Sequence, residues 1–167
     1  VPNYDRLMQQ RLRILNENNL GLPIIQEVIN SLTPLTGALK FLDELREDFQ
    51  IIILSDTFYE FAEPFMQKLK RPTIFCHRLE TNSGGEIINY HLRMKDHKRE
   101  AVKAFNLLNY TVYAAGDSYN DTSMLSEAEY GFLFNAPENV ITEFPQFPSI
   151  KTYDALQSEF KKVSPRF

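Results

Sequence analysis

Apolar side chains recur at helical spacing over the first third of the chain and then give way to short continuous runs. Leu7, Met8, Leu12 and Leu15 mark a first helix, with Pro2 where an opening helical turn tolerates it. The polar stretch from Asn16 to Gly21 breaks that run. A second helix follows Pro23, with Ile24, Ile25, Val28, Ile29 and Leu32 on one face, and Pro34 ends it. Leu39, Phe41, Leu42 and Leu45 predict a third helix, and core packing is the expected role of all these stripes. The period then changes. Ile51-Ile52-Ile53-Leu54 reads as a strand buried on both faces, closed by Ser55-Asp56-Thr57 and followed by a helix carrying Phe58, Phe61, Phe65 and Leu69.

Thr73 to Cys76 predicts a further short strand, and His77 to Arg93 a hairpin around Ser83-Gly84-Gly85, with Ile87 and Tyr90 among its apolar residues. Asp96 or His97 opens the next helix, which carries Ala101, Val102, Phe105 and Leu108. Thr111 to Ala115 predicts a strand, Gly116 to Asp121 a loop into a short helix with Met124 and Leu125, and Gly131 to Phe134 another strand. Helical pieces interrupted by Pro137, Pro145 and Pro148 complete the chain. Strands alternating with helices predict an α/β fold, a Rossmann-like parallel sheet with helices on both faces. In such sheets ligands gather at the carboxyl ends of the strands.

Composition narrows the partners. The 167 residues are 43% hydrophobic and 24% charged, as in a globular domain able to bury its own core. A formal net charge of -4 supplies no global basic field, so neither nucleic acid nor an anionic membrane is expected as a partner. Cys76 is the single cysteine and cannot form an internal disulfide, which fits a reducing, cytoplasmic setting. No apolar stretch is long enough to span a bilayer, and no signal peptide is recognisable.

Two strand ends carry chemistry. Gly116-Asp117-Ser118-Tyr119-Asn120-Asp121 follows an apolar strand, and Gly116 is expected there for a sharp exit that other residues resist. Asp117 and Asp121 place two carboxylates in one loop, suited to a hard divalent cation, with Asn120 to orient its neighbours. The same residues would also serve as an ordinary helix cap. At the other strand end, the Ser55 hydroxyl and adjoining amides form a natural phosphate cradle, provided that the Asp56 side chain points away. A lysine in Lys95-Asp96-His97-Lys98-Arg99 could offset phosphate charge, though nothing local selects Lys98 over Lys95 or Arg99.

In order along the chain, IIILSDTF, DHKREAV and YAAGDSYNDTSML resemble the second, third and fourth motifs of the haloacid dehalogenase superfamily, phosphoserine phosphatase group. The segments YDRLMQQRLRIL, LSDTFYEF and APENVITEFPQFP are similar to the bifunctional phosphoserine phosphatase/phosphoserine:homoserine phosphotransferases, so the likeness runs almost end to end. The resemblance implies that Ser55 binds phosphate with help from the Asp56 amide, and that Lys98 steadies the phosphate. It implies that Asp117 holds Mg²⁺ and that Asn120 and Asp121 position phosphate and support the metal shell. Tyr4 and Arg11 fall where the family's helical cap supplies an aromatic and an arginine, Arg11 clamping the substrate carboxylate. The implied reaction is Mg²⁺-dependent hydrolysis of L-phosphoserine through an aspartyl-phosphate, a step of serine biosynthesis, with homoserine as a further acceptor. Residues 1–33 would then be a portion of the helical cap and 34–167 the core.

The family's first motif, an apolar strand ending in Asp-x-Asp or Asp-x-Glu, has no counterpart here. Asp56 lacks the second acid, Asp117 is assigned to the metal, and Asp43 falls in a helix. The expectation is a core without its first strand and nucleophile, inactive as written, with two strand edges exposed. A non-catalytic phosphoserine-binding or regulatory module is the alternative. A response-regulator-like phosphoacceptor domain fits less well, because it needs an acidic pair near its first strand.

Overall fold

The computed structural model describes residues 4–164, with the side chains of residues 6–164. Three helices lead: α1 (Tyr4–Glu17), α2 (Leu22–Ser31) and α3 (Ala38–Asp48). Then come β1 (Ile52–Phe58), α4 (Tyr59–Lys68), β2 (Thr73–Thr81), β3 (Ile87–His91) and α5 (His97–Leu107). The remainder is β4 (Tyr113–Gly116), a 3₁₀ turn (Tyr119–Asp121), α6 (Thr122–Glu127), β5 (Tyr130–Phe134), α7 (Glu138–Glu143), β6 (Ser149–Ile150) and α8 (Tyr153–Val163). The α/β class predicted from the alternation of elements is the class that forms. The strands are shared between two three-stranded sheets, in the orders β1-β2-β3 and β4-β5-β6. Pairing is parallel throughout, except for the β2–β3 hairpin.

The chain divides into two compact units. One comprises residues 1–39 and 51–93, the other residues 40–50 and 94–167. In the first, Met8, Phe58, Leu79 and Ile87 form a buried cluster flanked by Leu12, Leu15, Leu22, Ile25, Phe61 and Tyr90. The α1 stripe is therefore core at Met8, Leu12 and Leu15, as its spacing predicts, while Leu7 is exposed. The α2 stripe is core along one edge only: Ile24, Val28 and Leu32 are exposed, and no residue of α2 is fully buried. Leu22 and Ile25 pack on the core cluster, and polar contacts tie α2 to α4. The Gln26 amide donates to the Glu60 carbonyl at 2.8 Å, and the Lys68 ammonium donates to the carbonyls of Asn30 and Leu32.

In the second unit α3 packs through aromatic side chains. Phe41 stacks on Tyr153, and Phe49 meets Tyr113 and Phe160. Phe132 also meets Phe160 edge-on, and Phe134 stacks on Tyr153, so α3, α8 and the β4-β5-β6 sheet share one core.

Several strands differ from expectation: β4 spans Tyr113–Gly116 instead of Thr111 to Ala115, and β6 forms where only helical pieces are expected. β2 runs on through Thr81, where the apolar run stops at Cys76, because the hairpin continues its ladder from Arg78 to Thr81 against His91 to Ile87. β1 runs through Ser55-Asp56-Thr57 to Phe58 instead of ending at Ser55. Its register with β2 shifts between Leu54, opposite Phe75, and Phe58, opposite His77. Ser55, Asp56 and Thr57 thus stand where β2 has Cys76 alone, which makes them a bulge that frees their backbone from the ladder.

Candidate functional site

In the second unit, β4 ends at Gly116 and delivers Asp117, Ser118 and the 3₁₀ turn beyond the carboxyl end of the sheet. The carboxylate of Asp121, 6% exposed, turns back into this loop. Its Oδ2 accepts from the Asp117 and Ser118 amides at 3.0 and 3.2 Å and from the Ser118 hydroxyl at 3.0 Å. Its Oδ1 accepts from the Lys98 ammonium at 2.9 Å. Both charges lie out of solvent, where an ion pair is sustained only if hydrogen bonds occupy the remaining lone pairs, as they do here. Asp121 is therefore the internal clamp of the loop. Asp117 and Asn120 are exposed at its rim, and Tyr119 donates its hydroxyl to Glu143 at 2.7 Å. That bond pushes the Tyr119 hydroxyl pKa up.

Gly116 is present for a different reason from the one its sequence context suggests. Among the described residues the glycines with positive φ are Gly37 and Gly85, so no unusual backbone angle requires a glycine at 116. A Cβ there would stand 2.5 Å from Asp121 Cβ and 2.7 Å from its Oδ2. The glycine makes room for the carboxylate.

Burial distinguishes the three basic residues of this segment. Lys98 is 8% exposed, in the first turn of α5, and reaches Asp121. Lys95 is exposed, and Arg99 forms an outward pair with Glu127 at 2.8 Å. Asp96 caps α5 in a left-handed conformation and accepts from the Ser123 hydroxyl at 2.8 Å, which ties the start of α5 to α6.

In the first unit, the bulge carries Ser55 and Asp56. The Ser55 hydroxyl accepts from the Thr57 amide at 3.3 Å, a local turn that holds Ser55 at the apex. The Asp56 carboxylate lies 3.8 Å from His77 Nε2. Arg11 is exposed on α1, with Nη1 3.9 Å from the Met8 sulfur. The backbone of Tyr4 opens α1, but its side chain lies outside the described residues. The structure thus brings Lys98, Asp117, Asn120 and Asp121 into one loop cluster, while Ser55, Asp56 and Arg11 belong to the other unit. Sequence reasoning passed over His77. Its only signal was a histidine adjoining an apolar strand.

The donor set of the second unit suits a hard cation. Asp117 presents a carboxylate at a strand end, and a small cation that keeps several waters needs only one or two such ligands. Asp121 is already committed to Lys98 and the loop amides.

Comparison with known proteins agrees with this geometry. The family model for haloacid dehalogenase-like hydrolases matches residues 10–126. The chain is 60% identical over 166 residues to phosphoserine phosphatase ThrH of Pseudomonas aeruginosa, covering 99% of this chain and 81% of that protein. It is 58% identical over 166 residues to a phosphoserine phosphatase of Pseudomonas syringae pv. tomato, covering 99% of this chain and 70% of the relative. A crystal structure of a phosphoserine phosphatase in its apo form shares the fold, with a TM-score of 0.70 and 22% identity over 87% of this chain and 74% of the other. With one motif in the bulge of β1, another beyond β4, and 99% of its length matched by relatives, this chain belongs to the haloacid dehalogenase-like hydrolase family.

Proposed function

We propose that the protein acts on L-phosphoserine as a Mg²⁺-dependent phosphatase. The observation that carries this reading is the buried Lys98–Asp121 pair closing a loop that presents Asp117 and Asn120 beyond β4. The similarity to two enzymes named phosphoserine phosphatase supports the substrate. Ser55 and the amides of its bulge bind the phosphoryl oxygens, Asn120 orients them, and Lys98 offsets their charge. Arg11 takes the substrate carboxylate as a planar two-point donor. Asp117 would hold Mg²⁺, which supplies charge neutralisation at the phosphoryl group when bound. Residues 1–33 serve as part of the cap and 34–167 as the core. Homoserine is a second acceptor in this reading, competing with water according to how completely the site excludes solvent.

No carboxylate of this sequence matches the nucleophilic aspartate that the family resemblance implies. The reading therefore assigns to these residues binding and charge compensation, and expects them to require an acceptor aspartate on a supplied strand. The second reading is a module that binds phosphoserine without turning it over. One assay separates the two: phosphate release from L-phosphoserine with Mg²⁺, by this chain and by one preceded by an Asp-x-Asp strand. Turnover in the second supports the enzyme, and loss of that turnover in Asp117→Asn, by about a hundredfold or more, supports the metal assignment. Saturable phosphoserine binding with no turnover in either supports the binding module. Retained Mg²⁺-dependent turnover in Asp117→Asn refutes the role given to Asp117.

A further inference from the structure

Beside the bulge in β1, on β2, stands a residue to which none of the family motifs assigns a role. His77 is 4% exposed and stands opposite Phe58, where the ladder resumes after the bulge. Its ring meets the Phe58 ring edge-on, with centroids 5.9 Å apart. Its Nδ1 accepts from the Arg93 amide at 3.2 Å, so in the neutral ring the proton belongs on Nε2. That N–H faces the Asp56 carboxylate at 3.8 Å, within electrostatic reach though longer than a direct hydrogen bond. Arg93 is itself anchored, donating through Nε to the Cys76 carbonyl at 3.2 Å and through Nη2 to the Tyr59 hydroxyl at 2.6 Å. The Tyr59 hydroxyl in turn donates to the Ile74 carbonyl at 2.8 Å.

We propose that His77 is a positioning residue: it draws the Asp56 side chain aside and so keeps the Ser55–Thr57 bulge in the conformation that receives a phosphoryl group. The physical need is clear. A carboxylate beside a phosphate site repels the ligand unless it is turned away and its charge is partly compensated. The Nε2–H of His77 meets that need, with Nδ1 tied to the Arg93 amide. This inference rests on the reading of Ser55 and its neighbours as the phosphate cradle.

The ring's two nitrogens allow the role to be separated from simple packing. Asparagine at 77 keeps an acceptor near the Nδ1 position for the Arg93 amide but cannot reach Asp56. Glutamine reaches Asp56 with a donor. The experiment is a titration of the full chain with inorganic phosphate in the presence of Mg²⁺, following the Ser55, Asp56 and Thr57 amides by NMR in the unsubstituted protein, Ser55→Ala, His77→Asn and His77→Gln. Saturable shifts at those amides are expected in the unsubstituted protein and should be lost in Ser55→Ala. His77→Asn should bind phosphate roughly tenfold more weakly while keeping native dispersion, and His77→Gln should bind within about twofold of the unsubstituted protein. Undiminished affinity in His77→Asn, or equal losses in both folded variants, overturns the proposal. If both variants lose native dispersion, the ring of the unsubstituted protein decides: its Nε2 signal should shift in step with the bulge amides as phosphate is added, and a ring that does not respond while the amides saturate overturns the proposal. Absence of any phosphate response in the unsubstituted protein instead refutes the cradle reading itself.

Discussion

Gly116 and Asp121 are four positions apart and compete for one volume. The carboxylate can turn back onto the Asp117 and Ser118 amides because the glycine has no Cβ to meet it. Gly116→Ala should therefore cost about 1–3 kcal/mol, since the atoms it strikes lie near the root of a pinned, buried side chain. Urea unfolding measures that cost, and a change below about 0.5 kcal/mol would show that the loop gives way freely. Lys98 is the other half of this arrangement. Lys98→Ala strands the Asp121 charge in a buried setting and is expected to destabilise by about 3–5 kcal/mol, read from the same unfolding curves. Lysine identity in this segment was ambiguous in sequence because Lys95, Lys98 and Arg99 lie within five residues of one another, and local spacing carries no information on which one is buried.

At the scale of elements, periodicity was a good guide where one face of a helix meets a core and a poor one where the partner decides. The stripes of α1 and α2 look alike in sequence, yet Met8 is buried against Phe58, Leu79 and Ile87 while Ile24 and Val28 remain exposed. Met8→Ala should accordingly cost roughly 2–5 kcal/mol in thermal or urea unfolding. Val28→Ala should cost little beyond a few tenths of a kcal/mol. Equal losses at the two positions would mean that α2 is buried in solution. β1 teaches the same lesson. Its apolar run ends at Leu54, but the strand resumes its ladder at Phe58, because Phe58 has a cluster to enter and His77 stands opposite it. A bulge that holds Ser55 and Asp56 off the ladder has no local sequence signature of its own.

Across the whole molecule, the lone cysteine reports on folding. Cys76 is 1% exposed, and its thiol pKa is pushed up to about 11, mainly by burial, with Arg93 and Arg78 partly opposing and Glu60 adding. Below pH 9 the thiol keeps its proton in both folded and unfolded chains, so it contributes no pH dependence. Between 9.0 and about 11 the unfolded chain loses that proton while the folded chain retains it, so stability should fall as pH rises through this window. Urea midpoints across the window check the sign, and Cys76→Ser should flatten the slope. Native protein should also resist iodoacetamide at neutral pH and react on unfolding. The sequence by itself determined the α/β class, most of the helices and strands though not β6, the loaded segments around Ser55 and after β4, and the family, because each is written in residue types and spacings within a few positions. Only the tertiary structure decided that Lys98 is the buried lysine, that Asp121 is a clamp, that Gly116 is there for space, and that His77 lies buried beside Asp56. Those outcomes depend on distances between residues such as Lys98 and Asp121, 23 positions apart, which are set by how elements pack and not by any local period.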